Sequence, residues 1–195
     1  MGKKYRIIYA DCPWGYRVYS GKGQGRTAES HYHTMDTEAI RSLPVAEIAD
    51  DDCILFLWVT FPCLTEGLSV MEAWGFHYKT CAFTWVKRNK KADTYFFGLG
   101  HWTRGNAEIC LIGIRGRPKR VSKSVPQICD ARIMEHSRKP DEIRDRIVQL
   151  CGDLPRIELF ARQRTKGWDC IGNETDGRDI RDALPDLIYG GKVDE

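Results

Sequence analysis

Four consecutive residues near the start of the chain, Asp11-Cys12-Pro13-Trp14, bring together a carboxylate, a backbone carbonyl of restricted direction and a flat indole. Pro13 confines Cys12 to extended or polyproline-like angles, which fixes where the Cys12 carbonyl points. Asp11 adds a second acceptor, so the two can face one planar NH2 group. Trp14 offers a face on which a base can stack. This set suits the exocyclic amine of a nucleobase, a poor nucleophile because its lone pair is conjugated with the ring. Acceptors that hold both N–H groups favour the pyramidal amine that forms as it attacks. Reaction with a sulfonium-bound methyl then needs mainly alignment. A strand-to-turn junction with a capping Asp and a buried Trp accounts for the same four residues, and the tetrapeptide alone does not choose.

Two basic runs are further candidates. Lys87-Arg88-Asn89-Lys90-Lys91 and Arg115-Gly116-Arg117-Pro118-Lys119-Arg120, followed by Lys123, have few acids beside them. They suit either solvated loops or contacts to phosphates. The formal net charge of +3 is too small to mark a nucleic-acid protein by itself. The histidines, His31, His33, His77, His101 and His136, show no ligand spacing beyond the weak His31-x-His33, so no metal site is expected. The eight cysteines form no CxxC pair, and several sit in apolar runs, as Cys53 does before Ile54-Leu55-Phe56. They read as reduced thiols that pack as small hydrophobes.

The elements that must position these groups follow from periodicity. A chain of 195 residues with 42% hydrophobic and 29% charged residues suits one domain with a real core. Strands are predicted over 5–10, 54–60, 77–86, 109–114 and 157–160. A polar loop with Gly21, Gly23 and Gly25 covers 15–34. Asp36 can cap a helix that begins at Thr37-Glu38. After Pro62, Leu64, Leu68, Met71 and Trp74 recur at helical spacing as one buried face, and Gly75 is a natural stop. Pro140 can open a helix whose buried face is Ile143, Ile147, Leu150 and Cys151. Residues 179–188 suit a small helix. Strands alternating with helices predict an α/β fold with a mostly parallel sheet and helices on both faces. Ligands in such sheets sit at the carboxyl ends of the strands, which places Asp11 to Trp14 and the segment after Phe160 on the working edge. No apolar stretch approaches the ~20 residues of a membrane span, and no signal-peptide core follows the first residues, so a cytoplasmic protein without membrane contact is expected.

Seven motifs in order carry a resemblance. They are Asp11-Cys12-Pro13-Trp14, His31-Tyr32-His33-Thr34-Met35, Phe56-Leu57-Trp58-Val59-Thr60, Gly100-His101-Trp102, Glu108-Ile109-Cys110-Leu111, His136-Ser137-Arg138-Lys139-Pro140-Asp141-Glu142, and Ile157-Glu158-Leu159-Phe160-Ala161-Arg162 with Gly172-Asn173-Glu174. From Ile8 to about Glu174 the chain resembles the MT-A70 family of adenine-N6 methyltransferases, in its bacterial and phage branch. The resemblance implies a single-domain Rossmann-like methyltransferase fold over residues 1–176, with 177–195 as a C-terminal helix and tail. It implies that Asp11, Cys12, Pro13 and Trp14 form the catalytic pocket around an adenine amine. S-adenosylmethionine is the implied methyl donor, held by Asp11, Lys139, Phe160, Arg162, Arg164, Thr165, Asn173 and Glu174. Tyr32 and Glu108 fall on the target-base side. Taken as residues alone, Asn173 and Glu174 suit ribose hydroxyls and Phe160 suits an adenine face. Equally, Phe160 suits the core, Arg162 a surface ion pair and Asn173 a turn. Cys12 stands where the family has a proline; its carbonyl is retained and it adds a thiol open to oxidation. Met134 stands where the bacterial branch carries a basic residue.

The expected partner is nucleic acid, with DNA favoured over RNA, in a bacterial cell or phage-infected host. The target base must leave its stack to reach such a pocket. Lys87, Arg88, Lys90, Lys91, Arg117, Lys119 and Arg120 are expected to grip the backbone around it. RNA adenine, the cytosine-N4 amine and a catalytically silent binding subunit are the alternatives, and the last is disfavoured because Asp11, Pro13 and Trp14 are all present. No separate target-recognition domain fits in 195 residues. A homodimer is compatible with the resemblance.

Overall fold

A computed structural model describes residues 2–15, 34–100, 102–135 and 138–190. The glycine-spaced loop and Tyr32 lie outside the described residues. Among the described residues, seven strands form one sheet: β1 (Tyr5–Ala10), β2 (Ala49–Val59), β3 (His77–Arg88), β4 (Ala107–Arg115), β5 (Ile128–Arg132), β6 (Arg156–Leu159) and β7 (Asp169–Ile171). Their order is β5-β3-β4-β2-β1-β6-β7. β1 runs parallel to β2 and β6, β6 to β7, and β3 to β5. β4 alone is antiparallel, to both β2 and β3. The sheet is therefore mostly parallel, as expected.

Alternation along the strands sorts the core into two layers. Ile8, Ala10, Leu55, Leu57 and Val59 face one side. They pack under α1 (Thr37–Arg41), α2 (Leu64–Ala73) and α5 (Ile180–Tyr189), through Ile40, Val70, Met71, Ile180 and Leu184. Ile7, Tyr9, Phe56 and Trp58 face the other side, against Ile143 and Ile147 of α3 (Glu142–Cys151). Helices thus cover both faces. α5 shares the first core, so the C-terminal helix belongs to the same packed body as the strands.

Several local expectations shift. The buried face of α2 is Gly67, Val70 and Met71, with Trp74 at its end, while Leu68 is exposed. The cause is Gly67, whose Cβ, were there one, would lie 2.3 Å from Val59 Cγ1; the helix rolls to set its glycine on β2. Gly75 ends the helix with φ +81°. α3 begins at Glu142, one residue after Asp141, and buries Arg144 rather than Leu150. β5 and β7 escape periodicity because β5 is a mostly exposed edge strand and β7 has three residues.

Candidate active site

β1 ends in the core at Ala10, and Asp11, Cys12 and Pro13 line a cleft of about 330 Å³ at the carboxyl edge of the sheet. The turn is pinned by its own backbone. The Trp14 N–H donates to the Cys12 carbonyl at 2.9 Å, and the Met35 N–H donates to the Pro13 carbonyl at 2.9 Å. Trp14 departs from expectation. It is buried, its indole N–H donates to the Trp58 carbonyl at 2.9 Å, and it does not line the cleft. The turn that presents Asp11 folds the indole into the core, so the stacking face expected of Trp14 is used for packing. The Cys12 thiol is likewise buried, and burial pushes its pKa well up, which disfavours the oxidation-prone thiolate.

A chain of alternating charges holds Asp11. Lys139, in the segment before α3, donates to both Asp11 carboxylate oxygens at 2.8 Å and approaches Glu108 Oε2 at 3.2 Å. Lys87 at the end of β3 bonds the other oxygen of Glu108. Lys139 also sits 5.5 Å from the centre of the Trp58 ring. The ammonium thus bridges the two carboxylates. Lys139, expected to touch the methyl donor, here positions two carboxylates. Burial lowers the Lys139 pKa, but Asp11 and Glu108 outweigh it and hold it above its ordinary value. Burial raises Glu108, but Lys139 and Lys87 outweigh it and hold the carboxyl below its ordinary value.

Phe160, Arg162, Asn173 and Glu174 line the same cleft. Phe160 closes β6 with φ +60°, a strained conformation for a bulky residue that clusters at functional sites. Gly172 must be a glycine, because a Cβ there would lie 2.2 Å from the Ala161 carbonyl oxygen. These two features bring the ends of β6 and β7 together and carry α4 (Asn173–Asp176) to the cleft. Arg162 and Glu174 pair at 3.7 Å. Arg164 and Thr165 do not line the cleft; Arg164 is exposed, and the Thr165 hydroxyl is buried without a hydrogen-bond partner among the described residues.

The cleft also uses residues the sequence did not assign to a site. Met35, Asp36, Ala39, Asp179 and Arg181 line it. Asp36 was expected to cap α1. It holds the cap position, but its side chain makes no capping bond. Asp179 does cap α5, accepting from the Arg181 N–H, and the Arg181 guanidinium draws its pKa down to about 2. Asp36 and Asp179 lie more than a hundred residues apart, so no spacing could have joined them.

The basic runs separate. Lys90 and Lys91 are exposed just beyond the end of β3, on the edge that carries Asp11. Lys87 is turned onto Glu108, and Arg88 is bound by Asp130 through two contacts of 2.7 Å. Arg117, Lys119 and Arg120 lie at the opposite edge. β4 is antiparallel to β2, so Arg115 pairs with Cys53 while Ile109 pairs with Val59. The second run therefore leaves the sheet where β2 begins, away from the cleft, and cannot surround it as expected.

The MT-A70 family profile matches residues 5–174. The Type II methyltransferase M.MunI of Mycoplasma sp is 32% identical over 210 residues, which cover 99% of this chain and 85% of that protein. An N(6)-adenosine-methyltransferase MT-A70-like protein of Drosophila melanogaster is 32% identical over 95% of this chain and 29% of its own length. The human N(6)-adenosine-methyltransferase catalytic subunit METTL3 is 31% identical over 95% of this chain and 30% of its own length. The chain thus spans most of the bacterial relative and under a third of the two animal ones. With Asp11, Cys12 and Pro13 meeting Phe160, Arg162, Asn173 and Glu174 in one cleft, and the family profile spanning residues 5–174, the chain belongs to the MT-A70 family.

Proposed function

We propose that this methyltransferase moves a methyl group from S-adenosylmethionine to the N6 amine of adenine in DNA. The observation that carries the reading is the single cleft that joins Asp11 to Phe160, Asn173 and Glu174. The DNA assignment is supported by the extent of the match to a bacterial Type II methyltransferase, against a much smaller share of the animal N(6)-adenosine-methyltransferases.

The residues present fit the donor. The cleft lies at the small end of ligand pockets, ~300–1,000 Å³. Its acids, Asp11, Asp36, Glu174 and Asp179, suit a cationic ligand that bears ribose hydroxyls. Phe160 offers an aromatic face and Arg162 and Asn173 offer hydrogen-bond donors. When bound, S-adenosylmethionine supplies a methyl group on a sulfonium that leaves as a neutral thioether.

Asp11 does the central work. Lys139 holds its carboxylate from one side, which leaves acceptor lone pairs directed to the cleft. An adenine amine placed there donates to Asp11, and the pinned Cys12 carbonyl is the second acceptor. Both hydrogen bonds strengthen as the nitrogen becomes pyramidal, so they favour the transition state over the planar ground state. Glu108 fixes the far side of Lys139 and so keeps Asp11 from swinging.

The test is methyl transfer from labelled S-adenosylmethionine to duplex DNA, single-stranded DNA and RNA, each digested to nucleosides. Label in N6-methyladenine from DNA is expected. Label only from RNA overturns the polymer, label in N4-methylcytosine overturns the base, and no label with donor still bound makes the chain a silent subunit.

A further inference from the structure

One face of the sheet carries a buried aromatic floor beneath the start of α3. Strand alternation builds it. Tyr9 of β1 pairs with Glu158 of β6 on one side and with Phe56 of β2 on the other, so all three point the same way. Trp58, two residues beyond Phe56 toward the carboxyl edge, keeps that face. Tyr9 and Trp58 are each 1% exposed. A cation lies over each ring. Arg144, which grips Glu158, sits 5.7 Å from the centre of the Tyr9 ring. Lys139, which holds Asp11, sits 5.5 Å from the centre of the Trp58 ring. The two rings are tied together, because the Trp58 indole N–H donates to the Tyr9 hydroxyl at 2.7 Å.

The lysine needs this floor more than the arginine does. A guanidinium is a planar fork whose own bonds fix its orientation. An ammonium is a point charge on a flexible four-carbon stem, and here two carboxylates, Asp11 and Glu108, both pull on it. The attraction of a cation to an aromatic face is strongest where water is excluded, and the Lys139 side chain is only 6% exposed. The Trp58 ring therefore sets how deep the ammonium lies, and so how it meets Asp11. The same residue anchors the reactive turn from behind, because its carbonyl accepts from the Trp14 indole N–H at 2.9 Å.

We propose that Trp58 is a positioning residue for the Asp11 carboxylate, acting through Lys139, and that the Tyr9 hydroxyl sets the tilt of its ring. Trp58 itself touches neither substrate nor donor. The proposal rests on the reading of Asp11 as the acceptor for the target amine.

The test reads two things in the full chain: the kinetics of methyl transfer, and the Lys139 ammonium resonance in protein carrying isotope-labelled lysine. The held ammonium is expected to give a resonance protected from solvent exchange, assigned by its loss in Lys139→Met. Trp58→Leu is expected to lower kcat by about tenfold, through loss of a desolvated contact between cation and ring, and to broaden that resonance. KM for DNA and donor affinity should not move. Trp58→Phe is expected to restore most of the rate and the resonance, since it returns a ring face. Tyr9→Phe removes a single oxygen, is expected to lower kcat by about threefold, and carries the test if Trp58→Leu does not fold. In the Lys139→Met background neither Trp58→Leu nor Tyr9→Phe should lower kcat further, because both act through the lysine. Losses that persist in full in that background overturn the proposal, as does an unchanged kcat and resonance in both variants. A resonance that responds as expected in a protein that methylates no polymer sinks the enzymatic reading and leaves the positioning of Lys139 standing.

Discussion

Asp11 directly follows β1 and Glu158 lies in the neighbouring β6; each meets a buried cation, yet the two pairs are built differently. Arg144 grips Glu158 with a planar fork, two contacts of 2.7 Å, and adds a third bond to Asp141 at 3.0 Å. Its guanidinium also sits 5.7 Å from the centre of the Tyr9 ring. Such a fork occupies the plane of the carboxylate and closes it. Lys139 holds Asp11 with a point charge from one side, and the Asp11 side chain keeps 24% of its surface exposed. On the proposed function one carboxylate serves structure and the other chemistry, and the chain holds the first with arginine and the second with lysine. Burial holds the Glu158 pKa above its ordinary value despite Arg144, whereas Lys139 and Lys87 overcome burial at Glu108 and hold its pKa below the ordinary value.

The sharpest break of this comparison is Asp11→Asn. It keeps the shape and removes the charge, and should lower kcat by about 10²–10³-fold or more, the cost of losing a transition-state hydrogen bond to a charged group. Donor binding by calorimetry should weaken less than kcat, since Asp36, Glu174 and Asp179 still line the cleft, and the far-ultraviolet circular dichroism should be retained. If Asp11→Asn keeps normal kcat, Asp11 is no more chemical than Glu158.

The structural pair should respond in stability rather than in rate. Arg144→Met leaves Glu158 buried without its cation and should cost about 3–5 kcal/mol in urea denaturation. Adding Glu158→Leu should recover most of that loss, because an apolar replacement of a whole buried pair is close to neutral. Failure of the double variant to recover would give the fork a role beyond holding charge.

The smallest effect is also the most discriminating. The Glu108 pKa is lowered in the folded protein, so its ionisation stabilises the fold above its unfolded value near 4.5, and that contribution is lost as pH falls through the folded value. The Glu158 pKa is raised, so its ionisation opposes folding, and the fold gains as pH falls through the raised value. The melting-temperature deficit of Glu108→Gln should therefore shrink on acidification from pH 7 to pH 3. That of Glu158→Gln should grow over the same range. Deficits that move together would mean the two clusters share one electrostatic environment.

Legibility in the sequence follows the range of the interactions. β1 was readable to the residue because four apolar neighbours precede an acid and a proline, and α5 was placed within one residue. β7 was not, because three residues carry no period and exist as a strand only through pairing with β6. The same holds within the site. Asp11, Phe160, Asn173 and Glu174 were marked by motif, while Asp179 and Arg181 enter the cleft only because α5 packs back against β7. Trp14 and Lys139 were marked by type, while their partners within the fold, the Trp58 carbonyl and the Asp11 and Glu108 carboxylates, are set by packing.

What the amino-acid sequence determined by itself is the family, the alternation of strands and helices, and the placing of Asp11 at the carboxyl end of the first strand. All of these depend on residue type and local spacing. The tertiary structure alone decided where each charge points. It turned Lys87 inward to Glu108, spent Lys139 on two carboxylates, buried Trp14, and sent Arg117, Lys119 and Arg120 to the far edge through one antiparallel strand. A side chain's type limits what it can bond, but strand direction and burial choose the partner, and these are set by the packing of segments far apart in the chain.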